Sequence, residues 1–214
     1  MFKQIIQMIK HLTLRKQFLQ SKKSNVQPKD EIPKNIIKVK KKLDNFFSES
    51  SDFISRQIDL GENGEFNIIV AYMDGLVNKQ EVSDSILQPL MIESRKSKLD
   101  KQITKNTITD ILKKDLLTTG EFVKVENFQQ TVESILAGDT VIYIGEIGVA
   151  LKLATKGWES RGVAEPQSDV VVKGPREGFV ETLGTNKSLL RRRIKNPKLK
   201  FEMFTIGEQT NTDV

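Results

Sequence analysis

The chain has no cysteine and only one histidine, His11, among its 214 residues. Without cysteine there is no disulfide, no thiolate nucleophile, no cysteine-ligated zinc and no iron–sulfur cluster. With the one histidine near the N-terminus, the remainder cannot assemble a Ser-His-Asp triad, a histidine zinc site or an imidazole general base. The phosphate-cradling patterns G-x-x-x-x-G-K-[ST] and G-x-G-x-x-G are both missing. No apolar run approaches the roughly 18 residues that span a bilayer as a helix. The first 20 residues are interrupted by lysine and glutamine and lead to no small-residue cleavage site, so they are not a secretory signal. The default location is the cytosol or the cytosolic face of a membrane. Catalysis would have to rely on carboxylates, Lys, Tyr, Ser or Thr. Paired acids such as Asp59/Glu62 or Glu62/Glu65 invite a hydrolase reading, but local spacing does not place two carboxylates across a substrate. The expectation is a non-enzymatic protein with no cofactor and no metal.

Charge is present but unevenly placed. Of 34 basic and 28 acidic residues, 12 and 2 fall within residues 1–42, leaving 22 and 26 for the rest. The basic character belongs to a leader, and the body is mildly acidic, which disfavours a nucleic-acid clamp. A nucleic-acid or membrane-surface role through the leader alone stays open as the alternative. Phe2, Ile5, Ile6, Ile9 and Leu12 recur at helical spacing between basic residues. That pattern fits either a solvated leader or an interfacial helix drawn to anionic lipid. The proline-containing stretch 20–34 has linker chemistry and puts the start of the body near residues 35–45.

Within the body, strands and helices alternate. FNIIVAYM (66–73) suits a buried strand. Asn78 is placed to cap a helix carrying Val82, Ile86 and Leu87, with Pro89 limiting its undisturbed run. A helix is expected over about 100–117, with Ile103, Ile108, Ile111, Leu112 and Leu116 inward. A strand follows at 121–125, then a helix at 127–137 that Gly138 is placed to end. TVIYI (140–144) and VALKLAT (149–155) read as a hairpin, with Val149, Leu151 and Leu153 on its inward face. The spacing of Phe179, Leu183, Leu190 and Ile194 predicts a helix over 178–195, and the following strand covers 198–206. Arg191, Arg192, Arg193 and Lys195 lie in the last turn of that helix, read as a solvated run that complements the helix dipole. No internal repeat is evident. The fold class is α/β: two small α/β subdomains with mixed sheets flanked by helices, preceded by a basic, largely flexible leader. The boundaries are 1–43 for the leader, 44–156 for the first subdomain and 157–214 for the second, whose C-terminal elements are expected to be incomplete.

Residues 157–178 break the alternation. They hold the only tryptophan, two prolines and a cluster of charged groups around Val170–Val172. Trp158, Arg161, Glu165, Gln167, Arg176 and Glu177 combine an aromatic surface with bidentate donors and acceptors. They are the candidate ligand or subunit interface, set against a purely structural loop held by internal pairing. Pro166, Gly174 and Pro175 are expected to set the chain's path there.

The run RGVAEPQSDVVVKGPREGFVETLGTNKSLLRRRIKNPKLKFE resembles the A subunits of spore germinant receptors, the spore germination protein family of endospore-forming bacteria. AYMDGLVN, ILQPL and SILAGDTVIYI with GVALKLATKGW fall in the order seen in that family; Gly145-Glu146 departs from the Asp-Gly expected in the hairpin turn. The resemblance implies a cytosolic N-terminal domain of two α/β subdomains preceding transmembrane helices. It further implies a transporter-like B subunit and a lipoprotein C subunit as partners, in the inner spore membrane, and a part in nutrient-triggered germination by ligand or partner binding and signal relay. A small nutrient ligand and an anionic membrane surface are the other candidate partners. Limited proteolysis is expected to trim the chain to a stable core starting between residues 35 and 45. Resistance of the whole chain would count against the leader reading.

Overall fold

The computed structural model describes residues 30–61, 64, 66–96, 103–117, 122–158 and 178–214. Backbone proximity divides the chain into two compact units, 1–31 and 32–214, and almost all described residues belong to the second. The leader pattern Phe2–Leu12 lies outside the described residues.

The second unit opens with helix α1 (Ile36–Phe47), where Asn35 accepts hydrogen bonds from the Ile37 and Lys38 amides at 2.9 and 3.4 Å. Such a cap satisfies amides that have no partner within the helix. Ile36, Val39, Leu43 and Phe47 recur at helical spacing and are buried. Helix α1 straddles the expected 43/44 boundary. Its lysines give it the composition of the leader, while one apolar stripe makes it part of the folded body.

Strands β1 (Phe53–Leu60) and β2 (Phe66–Met73) follow as an antiparallel pair running from Phe53↔Met73 to Leu60↔Phe66. A helical stretch, α2 (79–96), comprises an α-turn Lys79–Val82, π-turns Ser83–Leu87 and Pro89–Glu93, and a last turn Ser94–Lys96. Asn78 caps it as expected, accepting from Gln80 and Glu81 amides. The helix passes through Pro89 by widening into π-turns, a known way of accommodating a residue that lacks an N–H. Helical turns at Ile108–Ile111 and Leu112–Leu116 form α3. Then come β3 (Phe122–Val125), α4 (Phe128–Leu136, capped by Asn127), β4 (Thr140–Ile144) and β5 (Val149–Leu153). Gly138 closes α4 with φ +90, and a Cβ there would lie 2.9 Å from the Leu76 carbonyl oxygen.

The five strands form one sheet in the order β1-β2-β4-β5-β3, and every ladder is antiparallel. The expected mixed sheet is therefore corrected. Alternating strands and helices suggested parallel crossovers. Here the connection from β2 carries α2, α3, β3 and α4 and returns as β4 antiparallel to β2.

Helices cover both faces. Ile58, Ile68, Val70, Ile142, Leu151 and Leu153 pack with α2 and α3, through Val82, Ile86, Leu90, Ile108 and Leu112. Ile69, Ala71, Met73, Val141, Tyr143 and Ala150 pack on the opposite side with α1 and α4. Alternate residues of β2 thus serve two cores, which explains its unbroken apolar run. It also corrects the single inward face expected for β5: Ala150 is as buried as Leu151. The Tyr143 hydroxyl donates to Thr131 at 2.6 Å in the second core, and burial pushes the phenol pKa above its ordinary value.

The C-terminal residues form α5 (Leu183–Arg193) and a short antiparallel pair, β6 (Thr205–Ile206) with β7 (Thr212–Asp213). The helix is shorter than the expected 178–195 and the strand shorter than 198–206. Phe179, at 68% exposure, and Ile194 are both exposed, so the predicted apolar stripe is not a core face in this unit. The order helix, strand, Gly-Glu, strand occurs at α1–β1–Gly61-Glu62–β2 and again at α5–β6–Gly207-Glu208–β7. The two stretches share an order of elements and few residues. Leu43→Ala should lower unfolding free energy by about 2–5 kcal/mol, the usual cost of a buried leucine cavity. Urea denaturation of the full chain measures it, and a negligible loss would show that α1 is not part of the core.

Candidate functional site

Of the six residues expected at the site, Trp158 lies among the described residues. Arg161, Glu165, Gln167, Arg176 and Glu177 lie outside them, as do Pro166, Gly174 and Pro175. Trp158 is 37% exposed and follows the end of β5. Backbone hydrogen bonds from Asn78 N to Thr155 O (2.8 Å) and from Gly157 N to Leu76 O (3.2 Å) hold that chain against the 76–78 loop.

Trp158 lines a cleft of about 570 Å³ between the β2–α2 turn and the first half of α5. On one wall the Asp74 carboxylate accepts from the Gly75 amide (3.0 Å) and pairs with Lys79 Nζ (2.9 Å). Thr182, Thr185, Lys187 and Ser188 come from the other wall. The walls approach closely at Gly75. Its φ is +82, a conformation that favours glycine, and a Cβ would sit 2.5 Å from Ser188 Oγ, which would have to turn away. Lys187 Nζ has Met203 Sδ at 3.5 Å, a weak acceptor. The lining carries ammonium, carboxylate and hydroxyl groups beside one indole. This chemistry suits a small polar or zwitterionic molecule, or a short polar segment. Among the described residues, no three His, Asp or Glu side chains converge to hold a metal ion.

The same helix ends in a buried ionic node. Arg191 is 1% exposed. Its Nε donates to Asp52 Oδ2 at 2.7 Å, and its Nη2 to Asp52 Oδ1 at 2.9 Å and to Ser50 Oγ at 2.7 Å. Nη1 donates to the Asn196 carbonyl at 3.2 Å, and the Phe201 ring lies 4.9 Å from the guanidinium carbon. Ser50 Oγ in turn donates to Asp52 Oδ1 at 2.7 Å. This corrects the reading of the arginine run as solvated. Successive helical residues point about 100° apart, so one of three must face the body. Arg192 stacks over the Trp158 ring at 4.7 Å, and Arg193 is exposed. Asp52 stands 139 residues from Arg191, and no local spacing could have signalled that pair. Cleft and node are joined: the Asp74 amide donates to the Asp52 carbonyl at 2.7 Å. Thus α5 lines the cleft at one end and is locked to β1's approach at the other.

A family model described as Bacillus/Clostridium GerA spore germination protein matches residues 41–214. The chain belongs to the GerA spore germination protein family. Spore germination protein KA of Bacillus subtilis (strain 168) is 36% identical over 186 residues, covering 86% of this chain and 32% of the relative. Spore germination protein GerLA of Bacillus cereus is 28% identical over 185 residues, covering 86% and 36%. The chain thus spans about a third of the length of these curated relatives. Its fold resembles the crystal structure of the N-terminal domain of the A subunit of the Bacillus megaterium spore germinant receptor GerK3. The TM-score is 0.64 at 24% identity, with 87% of this chain and 65% of that one covered. Among the described residues, no helix of this GerA-family chain is long and apolar enough to cross a membrane.

Asp52→Ala is expected to leave the Arg191 charge buried without its partner and to cost about 3–5 kcal/mol. The double variant Asp52→Leu/Arg191→Met should recover much of that loss in urea denaturation. Equal stability of Asp52→Ala and the parent would show that the node is not a structural tie.

Proposed function

We propose that this chain serves as the non-catalytic N-terminal module of a germinant receptor A subunit. In this reading it lies at the cytosolic face of the inner spore membrane and works with a transporter-like B subunit and a lipoprotein C subunit. Its cleft takes a small polar ligand or a polar segment of a partner subunit, and α5 passes the event on. The observation that carries this reading is the double engagement of α5, which borders the cleft through Thr185 and Ser188 and is held by Arg191 at its other end. A relay needs an element whose arrangement binding can bias. A helix with a polar cleft at one end and a single buried ionic tie at the other meets that need.

Residues 157–214 are proposed to belong to a second α/β subdomain, in keeping with the recurrence of the helix–strand–Gly-Glu–strand order. Arg161, Glu165, Gln167, Arg176 and Glu177 remain proposed contributors to the interface. They belong to the segment that starts at the cleft residue Trp158 and precedes the α5 wall.

Thr185→Trp in the full-length protein would place an indole in the cleft. Nutrient-triggered germination of spores carrying it should slow by an order of magnitude or more, while protein abundance, measured by immunoblot, stays at the parental level. Germination at the parental rate with normal abundance would remove the cleft from the mechanism.

A further inference from the structure

Helix α1 carries a second face that the fold does not use. Its inward stripe is Ile36, Val39, Leu43 and Phe47. On the outward side Lys38 and Lys41 stand three residues apart along the helix, and Lys34 stands just before its Asn35 cap. Ile37, 62% exposed, lies beside them, and Lys40 lies further round on that same side, at the margin of the inward stripe. Lys34, Lys38, Lys40 and Lys41 are exposed, and none of them enters an ion pair among the described residues, such as Lys79–Asp74 or Arg191–Asp52. Asp44 is the helix's one acid, near its far end, and no basic residue falls in the last turn where the helix dipole would reward it. Like charges at these spacings weaken a helix. The lysines therefore oppose folding slightly and, among the described residues, contribute no ion pair in return.

The face is also continuous in sequence with the leader, whose residues 1–33 bring seven more basic residues against Asp30 and Glu31. Beyond residue 42 acids outnumber bases, so the cations are concentrated on this stretch and do not merely solubilise the chain.

The chemistry of the face selects among anionic surfaces. It is built of lysine with no arginine, that is, of hydrated point charges lacking the planar fork that grips one phosphate bidentately. No aromatic ring accompanies them on α1's outward side to stack on a base. Instead an exposed isoleucine stands at the edge, the arrangement that lets an amphipathic helix lie in a headgroup layer.

We propose that the outward face of α1, formed by Ile37, Lys38 and Lys41 with Lys34 at its N-terminal end and Lys40 at its margin, docks this domain on an anionic lipid bilayer. Helices α1 and α4 pack on the same side of the sheet. Docking through α1 turns that layer toward the membrane and leaves α2 and α3 facing away. The inference is independent of the cleft.

The test is co-sedimentation of the full chain with phosphatidylcholine vesicles, with and without phosphatidylglycerol. Binding should require phosphatidylglycerol and weaken as salt rises. A basic residue close to an anionic leaflet is worth roughly fivefold in partitioning, so Lys34→Gln/Lys38→Gln/Lys41→Gln should bind about 100-fold more weakly. Ile37→Ser should lower the part of the binding that persists at high salt. All four side chains are exposed, so melting curves of the variants should overlay the parent's. Three results would overturn the proposal: no binding by the parent, parental binding by the triple variant with the leader intact, or tighter binding of the parent to duplex DNA than to phosphatidylglycerol vesicles at equal salt.

Discussion

A guanidinium taken out of water must find its compensation inside the protein, and Arg191 finds it in one carboxylate. The Asp52 side chain accepts two of its hydrogen bonds, Ser50 a third and the Asn196 carbonyl a fourth. Attraction at this distance is strong in a low-dielectric setting, but it has to offset a desolvation penalty of several kcal/mol per ion. Such a pair adds little net stability over a hydrophobic contact. What it does is specify one arrangement, because any displacement of α5 strands two charges. The orientation of α5, the closeness of Gly75 to Ser188 and the shape of the cleft all depend on that tie. Ser51 N to Phe201 O at 2.9 Å and Lys200 Nζ to Phe46 O at 3.1 Å extend the same seam toward the C-terminal strands.

The sheet supplies the fixed frame. Its central strands β2, β4 and β5 bury residues on both faces, so their register cannot slip without moving apolar side chains from one core into the other. The β2–α2 turn that forms one cleft wall leaves the frame directly after Met73, which is fully buried. The other wall belongs to α5, which has no apolar stripe of comparable burial. One wall is thus set by packing and the other by a polar tie. Polar ties are the more sensitive to a change in nearby charge, and the cleft carries Lys79, Lys187 and Asp74. This contrast makes the α5 side the part of the domain best suited to respond to what enters the cleft.

The strands read from continuous or alternating apolar residues at 66–73, 121–125, 140–144 and 149–155 appear with shifts of at most two residues at an end. Asn78 caps where the pattern put it, because an Asx side chain bonding amides two or three residues on is a local event; Asn127, read as the first residue of its helix, is that helix's cap. The edge strand β1 carries Ser55, Arg56, Gln57 and Asp59 and shows no apolar run, so composition alone did not mark it. Helix α1 was masked by its lysines, although its apolar stripe was present in the letters. At the site, Trp158 could be picked out as a solitary indole in an irregular segment. Asp74, Lys79, Thr185 and Ser188 could not, since nothing in their own neighbourhoods distinguishes them from ordinary surface residues.

What the chain determines by itself is local or additive: the confinement of the net positive charge to residues 1–42, the absence of thiols and the single histidine, the caps, the periodicities and the ordered motifs shared with the spore germination family. Each depends on residues a few positions apart or on a count, and neither needs a fold to be evaluated. Tertiary structure alone decided that the sheet is antiparallel throughout, that helices cover both its faces, and that one arginine of three is buried. Strand direction depends on how a long connection returns, and helix coverage on which stripes find each other. The partner of Arg191 is set by long-range packing, with no local signal, because a carboxylate 139 residues away is brought within 2.7 Å only when the whole body has closed around it.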